Sequence, residues 1–103
     1  MRDAAFRRMI NSIPKGRVAT YGAVAAAAGY PQLHRAVARL LQTDPAGSLP
    51  WQRVVGSGGA IRLRFDGALE QRLRLEMEGV TFSGKHVNMD LHRHELRPWE
   101  LID

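Results

Sequence analysis

Apolar residues recur at helical spacing in three stretches of the chain, and proline, glycine and polar clusters punctuate the intervals between them. Phe6, Met9, Ile10 and Ile13 share one face of an amphipathic helix expected over about residues 3–12, which Pro14-Lys15-Gly16 ends. Val18-Ala19-Thr20 reads as a short extended step, with Thr20 a good N-cap for the alanine-rich helix from Tyr21 to Ala28 that Gly29 stops. Pro31 is suited to the first turn of the next helix. Leu33, Ala36, Val37, Leu40 and Leu41 give that helix an apolar stripe, with His34, Arg35, Arg39 and Gln42 nearer its exposed side. Two short helices joined by a tight glycine-containing turn fit a helix-turn-helix, and equally a hairpin that only packs.

Beyond the loop Asp44-Pro45-Ala46-Gly47-Ser48 the pattern changes. Pro50-Trp51-Gln52-Arg53-Val54-Val55 is a short apolar stretch, and Gly56-Ser57-Gly58-Gly59 is expected to be flexible. Ala60 to Phe65 alternates Ile61, Leu63 and Phe65 with Arg62 and Arg64, as a strand or an extended loop would. Leu69, Leu73 and Met77 recur every fourth residue, so a helix is expected over about 67–78, terminated by Gly79. The tail alternates loosely through Val80, Phe82, Val87, Met89 and Leu91 and ends near Pro98-Trp99, where Trp99 reads as a packing residue. A chain of 103 residues without an evident linker is expected to form one domain, residues 1–103.

Composition narrows the chemistry. The chain has no cysteine, which excludes disulfides, thiolate metal sites and cysteine nucleophiles together. No apolar run approaches a membrane span, and the first residues lack a secretory pattern, so a cytoplasmic or nuclear location is expected. His92 and His94 could share a strand face, but a metal site would need further ligands beyond these, His34 and His86; no metal or other cofactor is expected. The net charge of +5 is uneven, because residues 1–64 hold ten basic and two acidic residues whereas residues 65–103 hold five and eight. Thirteen of the fifteen cations are arginine, the side chain that forks onto phosphates. A basic front half of this kind suits a polyanion such as nucleic acid.

Four motifs then carry a specific resemblance. Ile13-Pro14-Lys15-Gly16-Arg17-Val18-Ala19-Thr20-Tyr21-Gly22 resembles the entry to the helix-turn-helix of O6-alkylguanine-DNA alkyltransferases, and Arg35-Ala36-Val37 resembles the start of their recognition helix. Pro50-Trp51-Gln52-Arg53-Val54-Val55 stands where those enzymes have Pro-Cys-His-Arg-Val, and Glu76-Met77-Glu78-Gly79 is similar to the end of their last helix. The enzymes' cysteine nucleophile and histidine base are replaced by Trp51 and Gln52, which can neither attack nor accept a proton near neutral pH. Glu78 stands where the enzymes orient the histidine, and is expected to have nothing left to orient. Tryptophan at position 51 is a mark of the alkyltransferase-like proteins, which bind alkylated DNA without repairing it.

The resemblance implies a mainly α, winged-helix-like domain of the alkyltransferase C-terminal type, with a helix-turn-helix and short strands. It implies no enzymatic activity, and as partners double-stranded DNA containing O6-alkylguanine and nucleotide excision repair proteins, with the chain itself a monomer. A base must leave the stack before its edge can be inspected. By residue-to-residue similarity, Arg35 would fill the vacated space and Tyr21 would crowd the phosphate and rotate the nucleotide out. Trp51, Arg64, Tyr21, Pro50 and Val54 would form the lesion pocket, with Arg64 on a loop above it. Thr20, Ala36, Arg39 and Arg62 would contact the DNA, where the helix enters the minor groove. His34 replaces a usually small neighbour of the arginine, and Gly56 stands where related proteins often have asparagine. The competing reading is a helix-turn-helix regulator that binds intact duplex by sequence, with Trp51 and Arg64 purely structural.

Overall fold

A computed structural model of the chain describes residues 2–44 and 47–98. Helix α1 (Arg2–Asn11) buries Ala5, Phe6, Met9 and Ile10, the face its apolar spacing marks out. Strand β1 (Ala19–Thr20) leads directly into α2 (Tyr21–Ala27), whose N-terminus is capped by Thr20 Oγ1 accepting from the Ala23 N–H at 3.0 Å. Gly29, at φ +94°, lets the chain reverse so that the Tyr30 N–H reaches the Ala25 carbonyl at 2.8 Å. Tyr30 then packs edge-on against Phe6, ring centroids 5.8 Å apart.

The next helix, α3, spans His34–Thr43, three residues later than Pro31 suggests. Residues 30–33 form a turn closed by the Leu33 N–H on the Tyr30 carbonyl, so Pro31 stiffens the connection and opens no helix. Val37 and Leu40 are buried, Leu33, Ala36 and Leu41 pack against the same core, and His34, Arg35, Arg39 and Gln42 are exposed. Helices α1, α2 and α3 thus enclose the larger of two apolar clusters, so the helix-turn-helix both packs and presents an outward face.

Strand β2 (Val54–Val55) runs parallel to β1, with Ala19 opposite Val54 and Thr20 opposite Val55. Residues 60–64 are an extended loop whose one ladder contact is the bridge from Ala60 to His86. Helix α4 (Phe65–Met77) starts two residues before the expected position and closes at Gly79, at φ +91°, with the Val80 N–H on the Leu75 carbonyl. Strands β3 (Phe82–Ser83) and β4 (His86–Val87) form a tight antiparallel hairpin, followed by the single turn α5 (Met89–His92). Val18, Val55, Leu75, Val80 and Val87 make the second cluster between α4 and this hairpin.

The apolar stripe on α4 faces outward. Leu69, Leu73 and Met77 are 60%, 48% and 84% exposed, whereas Gln71 and Leu75 are buried. The period of four marks a helix correctly, but the inward face is set by two backbone carbonyls that need a donor. Gln71 Nε2 supplies it, to Gln52 O at 3.1 Å and Val54 O at 2.9 Å. The tail past α5 is likewise more ordered than its loose alternation suggests. The Val18 N–H donates to His92 O, and the His94 N–H donates to Val18 O. Trp99 lies outside the described residues. Among the described residues no helix is long and apolar enough to cross a membrane.

Candidate nucleic-acid interface

Pro50 feeds a 3-10 turn over Trp51–Arg53, held by the Trp51 N–H on Leu49 O at 2.7 Å and the Arg53 N–H on Pro50 O at 3.0 Å. Two side chains of the α4 region fix this turn from behind. One is Gln71, through the carbonyls already described. The other is Glu78, at the C-terminal end of α4.

Glu78 is far from idle. Its Oε2 accepts from Gln52 Nε2 at 2.8 Å, and its two oxygens take the Arg53 guanidinium at 3.0–3.2 Å. Oε1 also accepts the Gly16 N–H at 3.0 Å, and Arg53 Nη1 reaches Ile13 O at 3.0 Å. The expectation that this carboxylate orients nothing is therefore corrected: it orients Gln52, because an amide N–H₂ can donate to it. Burial alone would raise the Glu78 pKa, but the hydrogen bonds from Arg53, Gly16 and Gln52 and the Arg53 charge outweigh it, so the carboxyl is held below its usual range. The ion pair joins the segment before β1, the 3-10 turn and the end of α4 behind Trp51.

In front of the turn, a cavity of about 320 Å³ opens between α3 and Trp51. Tyr21 and Trp51 line it together with Leu41 and Leu63, and Ala38, Gln42 and Gly47 complete it. The lining is mostly apolar, and the volume lies within the usual range for ligand sites. Gly47 is carried by a loop that Asp44 anchors: Oδ2 accepts the Ser48 and Leu49 N–H groups, and Oδ1 takes Arg7 Nη1 at 3.2 Å. Burial opposes the charge on Asp44, yet Arg7 and those N–H groups hold its pKa below the usual carboxylate range.

Tyr21 is also a wall of a second, more polar cleft, shared with Thr20, His34, Ser57 and Arg62. Burial pushes the Tyr21 phenol up and the Arg62 charge offsets part of that, so the hydroxyl stays neutral and able to donate. Gly56 has a steric role here. A Cβ at that position would stand 2.6 Å from the Arg62 Cγ and Cδ, so the missing side chain makes room for the arginine stem.

Of the residues expected in the pocket, the structure brings Tyr21 and Trp51 to the cavity. Val54 is fully buried in the core and Pro50 is half-buried beside it; neither lines the cavity. Arg64 precedes α4 and is exposed, with Leu63 rather than Arg64 on the cavity wall. Arg35 and Arg39 are exposed on α3, and Arg35, in its first turn, makes no hydrogen bond or ion pair among the described residues. Thr20 acts first as the α2 cap, and Ala36 packs partly into the core. Sequence reasoning missed Ala38, Leu41, Gln42, Gly47 and Leu63 as cavity residues. The spacing of Ala38, Leu41 and Gln42 on one side of α3 is the signal that was available for three of them.

Residues 3–80 match the family model described as the 6-O-methylguanine DNA methyltransferase, DNA binding domain. The chain belongs to that family, and within it to the alkyltransferase-like branch, which lacks the catalytic residues. It is 46% identical over 76 residues to a DNA base-flipping protein of Vibrio parahaemolyticus, covering 73% of this chain and 76% of that one. It is 44% identical over 71 residues to Alkyltransferase-like protein 1 of Schizosaccharomyces pombe, covering 66% of each. The fold is similar to the crystal structure of S. pombe Atl1 in complex with damaged DNA containing O6-carboxymethylguanine. That match has a TM-score of 0.77 at 30% identity and covers 90% of this chain and 94% of the other.

Proposed function

We propose that this chain recognises O6-alkylated guanine in duplex DNA by flipping the damaged nucleotide into the Tyr21–Trp51 cavity, holds it without chemistry, and thereby flags it for nucleotide excision repair. The observation that carries the reading is an apolar cavity beside the recognition helix, walled by an indole where the enzymes place a thiol, on a chain with no cysteine at all. Its relatives add support, since one is named for base flipping and another was crystallised on DNA containing an O6-alkylated guanine.

In this mechanism α3 enters the minor groove, with Thr20, Ala36, Arg39 and Arg62 close to the backbone. The exposed Arg35 side chain enters the stack as the nucleotide leaves, and its planar guanidinium pairs with the orphaned cytosine. Tyr21, wall of both clefts, stands where the rotated phosphate and the extruded base meet. Trp51 offers a flat apolar face to the purine and its alkyl group, with no atom that readily accepts that group. Arg64, exposed at the head of α4, reaches toward the purine as a cationic lid. The chain works as a single-domain monomer wherever the DNA is kept, in a nucleoid or a nucleus.

The test compares one oligonucleotide duplex with and without a single O6-methylguanine. At least about tenfold tighter binding to the damaged duplex, or about 1.4 kcal/mol, is expected. The protein's mass should be unchanged afterwards. Equal affinities across several sequence contexts would replace this reading with that of a regulator of intact DNA.

A further inference from the structure

Trp51 has a partner on the side of α4. The Arg74 guanidinium carbon lies over the Trp51 indole, 5.4 Å from the ring centroid. Arg74 is itself tied to the preceding turn of the helix, its Nε donating to Glu70 Oε2 at 2.6 Å. The other residues that line the cavity with Trp51 come from α2, α3 and the loops at residues 47 and 63, so Arg74 approaches the indole from α4, outside that set.

We infer that Arg74 is a positioning residue for damage recognition: held by Glu70, its cation fixes the plane of Trp51 and so sets how well the cavity distinguishes an alkylated guanine from a normal one. An indole behind a proline is free to turn about two side-chain bonds unless something holds its face. Gln71 and Glu78 secure the backbone and neighbours of Trp51, but neither hydrogen-bonds the ring. A cation over the ring face holds it instead, because the negative π face and the guanidinium attract and the planar group can stack. The Glu70 carboxylate narrows the positions open to that guanidinium. Arg72, two residues away, gives the contrast: it lies over Phe82 at 4.2 Å and bonds Glu76 and the Gly84 carbonyl, away from the cavity.

The inference rests on the proposed lesion-binding role of Trp51, and its test separates the two. Substituting Trp99→Phe leaves Trp51 as the single tryptophan of the chain. In that background Arg74→Gln should shift the Trp51 emission and raise its acrylamide quenching in the DNA-free protein. It should also shrink the affinity ratio between O6-methylguanine and guanine duplexes at least about threefold. Arg74→Lys should restore much of both, since it keeps the cation, and Glu70→Gln should give a smaller change in the same direction. Arg72→Gln removes the same charge from the same helix and should leave emission and ratio unchanged. Melting curves for all variants verify folding; if Arg74→Gln fails to fold, the Arg74→Lys and Glu70→Gln spectra decide. Unchanged emission and quenching, or equal losses of affinity for both duplexes with a flatter salt dependence, would overturn the inference and make Arg74 a phosphate contact. A wild-type protein that does not discriminate the lesion at all would instead overturn the proposed function, while the DNA-free spectra would still report on the contact.

Discussion

Replacing Glu78 with glutamine keeps the side chain's shape while removing its charge and turning one acceptor oxygen into a donor. In the native protein both oxygens face donors only: Gln52 Nε2, Arg53 Nε and Nη2, and the Gly16 N–H. Whichever way the new amide turns, an N–H₂ group meets either Gln52 and Arg53 or Gly16 and Arg53. Breaking one partner of a buried ion pair costs about 3–5 kcal/mol. Here Arg53 retains the Ile13 carbonyl and 19% of its side chain is exposed, so about 2–3 kcal/mol is the better figure. For a chain of this size that corresponds to a fall in Tm of about 8–15 °C.

The same carboxylate gives the prediction a pH signature. Its folded-state pKa lies below the ordinary glutamate value, so its stabilisation is complete above that value and is lost as pH falls through the depressed one. Wild type should therefore lose stability progressively below about pH 4.3, whereas Glu78→Gln should lose less over the same window. Thermal unfolding followed by circular dichroism between pH 3 and pH 8 measures both effects. A double-mutant cycle with Arg53→Met isolates the pair. A Tm within about 2 °C of wild type at neutral pH, or a deficit that does not narrow toward pH 3, would refute the reasoning.

Other consequences can be checked separately. Gln71→Leu keeps the volume but strands the Gln52 and Val54 carbonyls, and at about 1–3 kcal/mol for each lost partner it should lower the urea midpoint markedly; an unchanged midpoint would remove Gln71 as the support of the turn. Trp51→Cys alone should remain nearly inactive in alkyl transfer measured by mass spectrometry, because Gln52 cannot act as base; efficient transfer by the single variant would contradict that. Arg35→Ala and Tyr21→Ala should each weaken binding and reduce the signal of a fluorescent base analogue at the lesion, and wild-type flipping in both would cancel their assigned roles. Arg64→Ala should narrow the ratio between alkylated and normal guanine, whereas Arg62→Ala should lower both affinities and flatten the salt dependence. An unchanged ratio for Arg64→Ala would take that residue out of the site.

Much of this protein is legible one residue after another, because the relevant physics is local. Helical spacing locates α1, α3 and α4, the Thr20 hydroxyl marks the start of α2, and Gly29 and Gly79 mark stops that need a left-handed residue. The absence of cysteine excludes thiol chemistry, and Trp51 and Gln52 in the alkyltransferase frame remove both nucleophile and base. What the linear pattern could not contain is where two distant groups need each other. The inward face of α4 belongs to Gln71 because the carbonyls of Gln52 and Val54, 17–19 residues away, need a donor, and the stripe of Leu69, Leu73 and Met77 is left outward in consequence. Glu78 keeps a partner for the same reason, since Gln52 meets it across 26 residues. The cavity itself exists only once α3, the loop at Gly47 and Leu63 converge on Trp51. Local preferences choose the elements; hydrogen-bond satisfaction and packing across the fold choose which of their faces become the core and which the site.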